Sequence, residues 1–173
     1  ISWPYEWSFG QLKDAALLTL DIQAAALARG MTLKDATAYN IQFRGGRAVL
    51  IDTLSFEVLV EGQPWVAYKQ FCQHFLAPLA LMARTDVRLG QLLRVHLDGI
   101  PLDLAARLLP ATSWASFGLA THLHLHARSQ VRHADSAGSA GRPVVSSASL
   151  VALVDSLRST VEAMKWEPEG TEW

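Results

Sequence analysis

A pair of adjacent glycines, Gly45-Gly46, is the feature that most narrows the folds open to this chain of 173 residues. The pair separates two short runs of β-prone residues, Ile41 to Phe43 and Ala48 to Ile51. Glycine adopts positive φ at little steric cost, so two glycines between such runs indicate a tight β-hairpin turn. The sequence therefore predicts one β-hairpin, and no other strand pair is indicated with comparable strength.

Helical periodicity dominates the rest of the chain. Ser8 and Gln11 form a capping-box pattern, and Gly30 suits a C-cap, so a helix is predicted over about residues 9–29. After the hairpin, apolar residues at helical spacing predict five more helices: 65–79 with a kink at Pro78, 89–97, 102–109, 113–133 and 150–164. The predicted fold class is α+β, mainly α, with one hairpin.

Composition and spacing divide the chain into four predicted segments. Residues 1–110 carry the hairpin and most of the helices, and 111–134 form a helical extension. Residues 135–149 are rich in Ser, Gly and Ala, which is typical of a linker. Residues 150–173 hold an amphipathic helix expected to lead to a downstream domain.

Overall charge and cysteine content exclude several classes of partner. The net charge is −1, which gives no electrostatic reason to expect nucleic acid. The longest apolar run is far below the roughly 20 residues that span a bilayer, and no signal peptide precedes it, so no membrane partner is expected. A single cysteine, Cys72, allows no internal disulfide, and its position among apolar residues predicts a place in the core. A cytoplasmic location is therefore expected.

Three polar residues flank the predicted hairpin with the spacing of a kinase-like site. Asp35 and Asn40 precede it, five positions apart, and Asp52 follows it. In the kinase catalytic loop an aspartate accepts the proton of the substrate hydroxyl and an asparagine at this spacing holds magnesium. The pattern therefore predicts Asp35 as a catalytic base and Asn40 and Asp52 as Mg²⁺ ligands, because carboxylate and amide oxygens are hard ligands. Residues 1–110 would then form a kinase C-lobe-like region.

The same residues also fit a purely structural interpretation. Leu33-Lys34 and Thr53-Leu54 stand where kinases carry His-Arg and Phe-Gly, and no Gly-rich phosphate loop or strand lysine precedes the first helix. Asp35 could cap a turn and Asp52 could end a strand, since aspartate commonly hydrogen-bonds nearby backbone. The chain alone is not expected to clamp ATP.

Alternating histidines form a second pattern that could carry chemistry. On a strand His122, His124 and His126 would share one face and could bind zinc, whereas on a helix only the first and last align. The surrounding period favours a helix. A structural role is therefore favoured over a metal site.

Six stretches of the chain together resemble a known family. These stretches are residues 4–9, 33–40, 51–57, 65–68, 71–79 and 98–102, and they are similar to the NoeA-like class I SAM-dependent methyltransferases of bacteria. The resemblance implies that the chain is the region upstream of the methyltransferase domain, which would be its partner in the same polypeptide. The first residue is Ile1 and no closing element precedes Trp173, so a fragment is expected.

The resemblance implies S-adenosylmethionine as the cofactor of the parent protein and none for this segment. The Gly-rich turn and the acidic residue that mark a SAM-binding domain do not occur in the sequence, so no SAM-binding residue is assigned. Three hypotheses remain open. The chain is a noncatalytic or substrate-presenting region of a methyltransferase, half of a small-molecule phosphotransferase that uses Mg-ATP, or a structural module.

Overall fold

The first helix, α1, spans Phe9–Leu27 and begins where the capping box was predicted. Ser8 Oγ accepts a hydrogen bond from Gln11 N at 3.2 Å, and Gln11 Oε1 accepts one from Ser8 N at 3.0 Å. The helix ends two residues earlier than predicted and is followed by a turn in which Gly30 has φ 70°. These coordinates come from a computed structural model that describes residues 1–125 and 145–167.

Two small antiparallel sheets follow α1. Strands β2 (Ile41–Arg44) and β3 (Arg47–Leu50) form the predicted hairpin, with φ of 57° at Gly45 and 78° at Gly46. A second pair joins β1 (Met31–Leu33) to β4 (Phe56–Val58). The sequence did not predict this pair, because strands of three residues are too short to show a period and their partners lie far apart in the chain.

A continuous helical segment crosses the middle of the protein. It consists of α2 (Tyr68–Phe71), a π-helical turn (Cys72–Leu76) and α3 (Ala77–Arg84). The π-helical turn was not predicted, and Pro78 lies two residues after its end. Proline has no N–H, so in π register the carbonyl of Gln73 lacks its helical donor. Ile100 N supplies the missing hydrogen bond to Gln73 O at 3.0 Å.

Shorter elements complete the region up to residue 125. A 3₁₀ turn (Val87–Gln91) leads into α4 (Leu92–Val95), and α5 (Leu102–Leu108) lies where the third helix after the hairpin was predicted. The predicted continuous helix over 113–133 is wrong at its start, because Ser116 has an extended backbone. Instead, a 3₁₀ turn (Ala111–Ala115) precedes α6 (Phe117–Leu119) and a π-helical turn (Ala120–Leu125). Residues 126–134 lie outside the described ranges.

The last helix, α7, spans Ser147–Ala163 and packs on α1. It starts three residues before the predicted position because Ser146 Oγ caps Ser149 N, so residues 147–149 are helix and not linker. Its apolar stripe is buried at Leu150, Val154, Leu157 and Val161. The sequence predicted a buried stripe here, and the structure shows that this chain itself covers it. Residues 135–144 of the predicted linker lie outside the description.

Polar contacts also join α1 to α7. Lys13 Nζ donates to the backbone oxygens of Glu162 at 2.8 Å and Met164 at 2.7 Å, and Arg158 forms an ion pair with Asp21. The buried apolar residues form one core that includes both helices and α2, α3 and α5. The fold class is α+β and mainly α, as predicted. Among the described helices, none is both long enough and apolar enough to cross a bilayer.

Candidate functional site

The two sheets place the loops that carry the predicted site residues side by side. One loop, residues 34–40, joins β1 to β2, and the other, residues 51–55, joins β3 to β4. Because β1 pairs with β4 and β2 with β3, both loops run between the two sheets. Backbone hydrogen bonds connect them at each end: Lys34 N donates to Ser55 O at 2.8 Å, and Ile51 N donates to Asn40 O at 2.8 Å.

Asn40 and Asp52 are linked through the hydroxyl of Ser55. Asn40 Nδ2 donates to Ser55 Oγ at 3.0 Å, and Ser55 Oγ donates to Asp52 Oδ2 at 2.8 Å. Ser55 is 1% exposed, so the bridge lies in the interior of the loop pair. The sequence predicted that Asp35, Asn40 and Asp52 would converge on one site, and it gave no sign that a serine would connect Asn40 to Asp52.

Hydrogen bonds keep Asp52 ionised. Its Oδ1 accepts from Leu54 N at 2.9 Å, which caps the 3₁₀ turn Thr53–Ser55. This backbone donor, followed by the Ser55 hydroxyl, holds the pKa of Asp52 below its usual value, and Lys34 adds a smaller effect in the same direction. Asp52 therefore offers a carboxylate at neutral pH, as a metal ligand must.

Asp35 lies at the opposite end of the first loop and forms a turn of its own. Its Oδ1 accepts from Thr37 N at 3.0 Å, the local bond that the structural interpretation predicted. Ala36 N donates to Gln70 Oε1 at 2.6 Å and so anchors the loop to α2. The structure thus joins Asn40 to Asp52, whereas Asp35 contributes to a neighbouring part of the loop.

The pair of Asn40 and Asp52 supplies few ligands for a metal ion. Across residues 1–125 and 145–167, no group of three or more His, Cys, Asp and Glu side chains is arranged to hold a metal. Magnesium often takes only one or two protein carboxylates, and water and substrate phosphates complete its shell. The amide oxygen of Asn40 and the carboxylate of Asp52 fit such a partial set, so the assignment of both as Mg²⁺ ligands stays a prediction.

Three residues that the sequence analysis did not single out lie in or beside the loop of residues 34–40. Tyr39 follows Asp35 by four positions, and its ring contacts that of His74 in the π-helical turn, with centroids 6.0 Å apart. The negative charges of Asp35 and Asp98 both act on His74. The Asp98-Gly99 dipeptide is a turn signal, and it could have been used to place Asp98 in a tight turn.

Gly99 presses that turn against the helix. Its φ is 88°, and a Cβ built on it would lie 2.6 Å from Gln73 Cβ and 3.0 Å from His74 Cδ2. A side chain cannot fit into this contact. The close approach of backbone to helix therefore brings Asp98 to His74 and lets Ile100 N reach Gln73 O.

Burial determines the protonation of the Tyr39 and His74 rings. His74 is 1% exposed, and desolvation lowers its pKa to about 4 although Asp35 and Asp98 act in the opposite direction. Desolvation also raises the pKa of Tyr39, with smaller effects from Tyr5 and Asp98. At neutral pH the pair is a neutral imidazole beside a neutral phenol.

The remaining predicted positions have structural roles. His122 lies between Tyr68 Oη, 2.9 Å from its Nδ1, and Ser156 Oγ, 2.8 Å from its Nε2. His124 Nε2 lies 2.7 Å from Ser113 Oγ, and its ring stacks on a tryptophan. Both contact patterns agree with the structural interpretation of these histidines, and His126 lies outside the described part of the chain.

Cys72 is fully buried, as predicted. Desolvation raises its pKa to about 12, so the thiol is uncharged and a poor nucleophile at neutral pH.

Comparison with known proteins gives one informative relation. No protein-family model matches the chain, and no solved structure matches it either. Nodulation protein NoeA of Rhizobium meliloti (strain 1021) is 44% identical over 130 residues, which is 75% of this chain. The chain spans 27% of the length of that protein. Over three quarters of its own length, this chain is therefore similar to nodulation protein NoeA.

Proposed function

We propose that this chain is the noncatalytic, substrate-presenting region of a NoeA-like SAM-dependent methyltransferase polypeptide that acts in nodulation. The observation that carries the proposal is the 44% identity with NoeA, of which the chain covers 27%. An identity of this size over 130 residues indicates common ancestry, and the unmatched length of NoeA leaves room for a catalytic domain elsewhere in such a polypeptide. The downstream methyltransferase domain would be the partner of this chain.

The architecture supports a role other than SAM binding. Both sheets formed by the described residues have two antiparallel strands. Nucleotide-type cofactors bind in the crevice at the carboxyl ends of parallel strands, beside a Gly-rich turn that opens a helix. The glycine pair of this chain forms a hairpin turn instead. The cofactor of the proposed methyltransferase would therefore bind outside this segment.

The carboxylates of the two loops support a noncatalytic role. Asp35 and Asp52 each accept a backbone hydrogen bond two residues further on, from Thr37 and Leu54 respectively. Such bonds fix the shape of a loop. We propose that loops shaped in this way hold the substrate, whereas transfer of the methyl group takes place in the other domain.

Titration with S-adenosylmethionine tests the proposal. We expect no saturable heat when the 173-residue chain is titrated in a calorimeter. A longer NoeA-like polypeptide that includes the proposed catalytic domain should bind and serves as the positive control. Saturable micromolar binding to the chain alone would mean that the cofactor site lies in this segment, and the proposal would fail.

A second function, phosphotransfer, is favoured by one specific observation. Asn40 and Asp52 converge on Ser55 between two strand pairs. Asn40 and Asp52 would then be the magnesium ligands of a kinase C-lobe-like region, with Asp35 as the base. In such enzymes most of the catalysis comes from positioning the phosphates between two lobes. The chain would then supply one lobe and half of an Mg-ATP site.

A measurement of Mg-ATP binding distinguishes the methyltransferase proposal from the phosphotransfer proposal. We expect the chain alone to bind Mg-ATP weakly or not at all, because the lid and the lysine that hold the phosphates are absent from its sequence. The same binding is then measured in a full-length NoeA-like polypeptide and in its Asp52→Asn variant. Asp103→Asn is the matched control, because Asp103 is an exposed carboxylate paired with Arg107. Loss of Mg-ATP binding in the first variant only would favour phosphotransfer. A full-length protein that ignores Mg-ATP would rule it out.

A further inference from the structure

Two buried polar atoms without a protein partner lie on rings that touch each other. Within the described residues, the buried side-chain nitrogen and oxygen atoms that have no hydrogen-bond partner are Tyr39 Oη and His74 Nδ1. The two rings meet edge to face, with centroids 6.0 Å apart and an angle of 82° between their planes. Unpaired buried polar groups are rare in native proteins and costly. The two atoms therefore lie on adjacent rings in the same part of the fold.

Neither ring can readily turn to find another partner. His74 is 1% exposed and lies in the π-helical turn, with the Gly99 backbone against its Cδ2 edge. Tyr39 lies in the 3₁₀ turn Ala38–Asn40 and is packed between the rings of His74 and Trp3. The loop itself is tied to α2 by the Ala36–Gln70 hydrogen bond. The unpaired atoms are therefore held in place by the fold.

The charges around the pair define what can bind there. The phenol hydroxyl and the imidazole Nδ1 can each donate or accept a hydrogen bond according to the position of the proton. The carboxylates of Asp35 and Asp98 act on His74, and Asp98 also acts on Tyr39. An anionic group would be repelled by these two charges. A group that donates one hydrogen bond and accepts another without carrying charge fits both partners.

We propose that Tyr39 and His74 form a binding site for a neutral hydroxyl group. The hydroxyl comes either from an ordered water molecule or from a small hydroxyl-bearing ligand. In both cases it exchanges hydrogen bonds with Tyr39 Oη and His74 Nδ1 beside the Asp35 carboxylate. The site lies at a π-helical turn, an element that is frequent at functional sites. This inference does not depend on the function proposed above.

A pair of tyrosine variants tests whether the hydroxyl site is occupied. Tyr39→Phe removes only Oη, and Tyr5→Phe removes the hydroxyl of the nearby tyrosine that is half-buried. If Tyr39 Oη is bonded to an occupant, Tyr39→Phe lowers the urea midpoint of unfolding while Tyr5→Phe leaves it near the wild-type value. If Tyr39 Oη is unpaired, its removal leaves the midpoint unchanged or raises it, and the proposal is overturned.

Nuclear magnetic resonance of the His74 imidazole identifies the source of the hydroxyl. The probes are glycerol and myo-inositol, titrated into the wild-type chain, Tyr5→Phe and Tyr39→Phe at millimolar concentration. Saturable shifts of the His74 nitrogens in the first two, lost in Tyr39→Phe, indicate a hydroxyl-bearing ligand. A hydrogen-bonded Nδ1 that no polyol perturbs, together with the lowered midpoint of Tyr39→Phe, indicates water. A free Nδ1 in every sample would refute the site.

Discussion

Replacing Gly99 with alanine should destabilise the protein by about 3 kcal/mol, combining a positive-φ penalty of about 1 kcal/mol with about 2 kcal/mol of overpacking. The φ of 88° disfavours any side chain, and the new Cβ would lie 2.6 Å from Gln73 Cβ and 2.9 Å from the Gln73 carbonyl carbon. One of these atoms belongs to helix backbone, which cannot move aside without breaking the Ile100–Gln73 hydrogen bond. Urea unfolding followed by circular dichroism measures the loss.

Gly46→Ala provides the matched control for this variant. Its φ is 78°, close to that of Gly99, but a Cβ there meets nothing within 4 Å. The control should therefore cost only the backbone term, about 1 kcal/mol. If both substitutions cost the same, the contact between the Asp98-Gly99 turn and the helix is not a rigid one, and Asp98 would not be fixed beside His74.

Acidification from pH 6.5 to pH 4 should remove about 3 kcal/mol of stability through His74. Burial lowers the pKa of His74 to about 4, and Asp35 and Asp98, the charged groups that face it, raise the pKa only in part. The unfolded chain has a histidine pKa of about 6.5, so between these values it binds a proton that the folded chain does not. Stability therefore falls as the pH drops through this window and levels off below about 4, at about 1.4 kcal/mol per pH unit.

His74→Leu and His96→Gln isolate this effect. The first removes the buried imidazole and should flatten the pH dependence of the urea midpoint between pH 6.5 and 4. The second removes a partly exposed histidine in the same region and should leave the slope as in the wild type. The paired Asp86, whose pKa is held at about 2 by Arg88, titrates below this window and does not confuse the comparison. An unchanged slope in His74→Leu would show that His74 is not the residue that titrates.

Local patterns predicted the longer elements well. The capping box at Ser8 and the helical spacing of apolar residues predicted α1, and the apolar stripe predicted α7. The pair of turn glycines predicted the hairpin. The β1–β4 pair and the π-helical turn depend on partners far along the chain. Ile100, for example, completes the hydrogen bonding that Pro78 prevents.

The sequence predicted which residues of the candidate site lie near the hairpin, but it did not predict their side-chain contacts. The positions of Asp35, Asn40 and Asp52 around a hairpin predicted that all three would meet. Ser55 joins Asn40 to Asp52, whereas Asp35 forms a turn of its own. The contact of Tyr39 with His74 could not be predicted, because it arises where two segments pack across the core. The spacing of apolar residues around Tyr39 or around His74 does not indicate which side chains will meet.

The packing of α7 on α1 has a consequence for synthesis on the ribosome. Part of the surface of α1 is covered by a helix that begins at Ser147, far downstream of Leu27. At roughly 5 to 20 residues per second, the interval between the emergence of the two helices is on the order of ten seconds. During that time the part of α1 that α7 later covers is exposed, so it is a place where chaperones that bind apolar helices could act on the nascent chain.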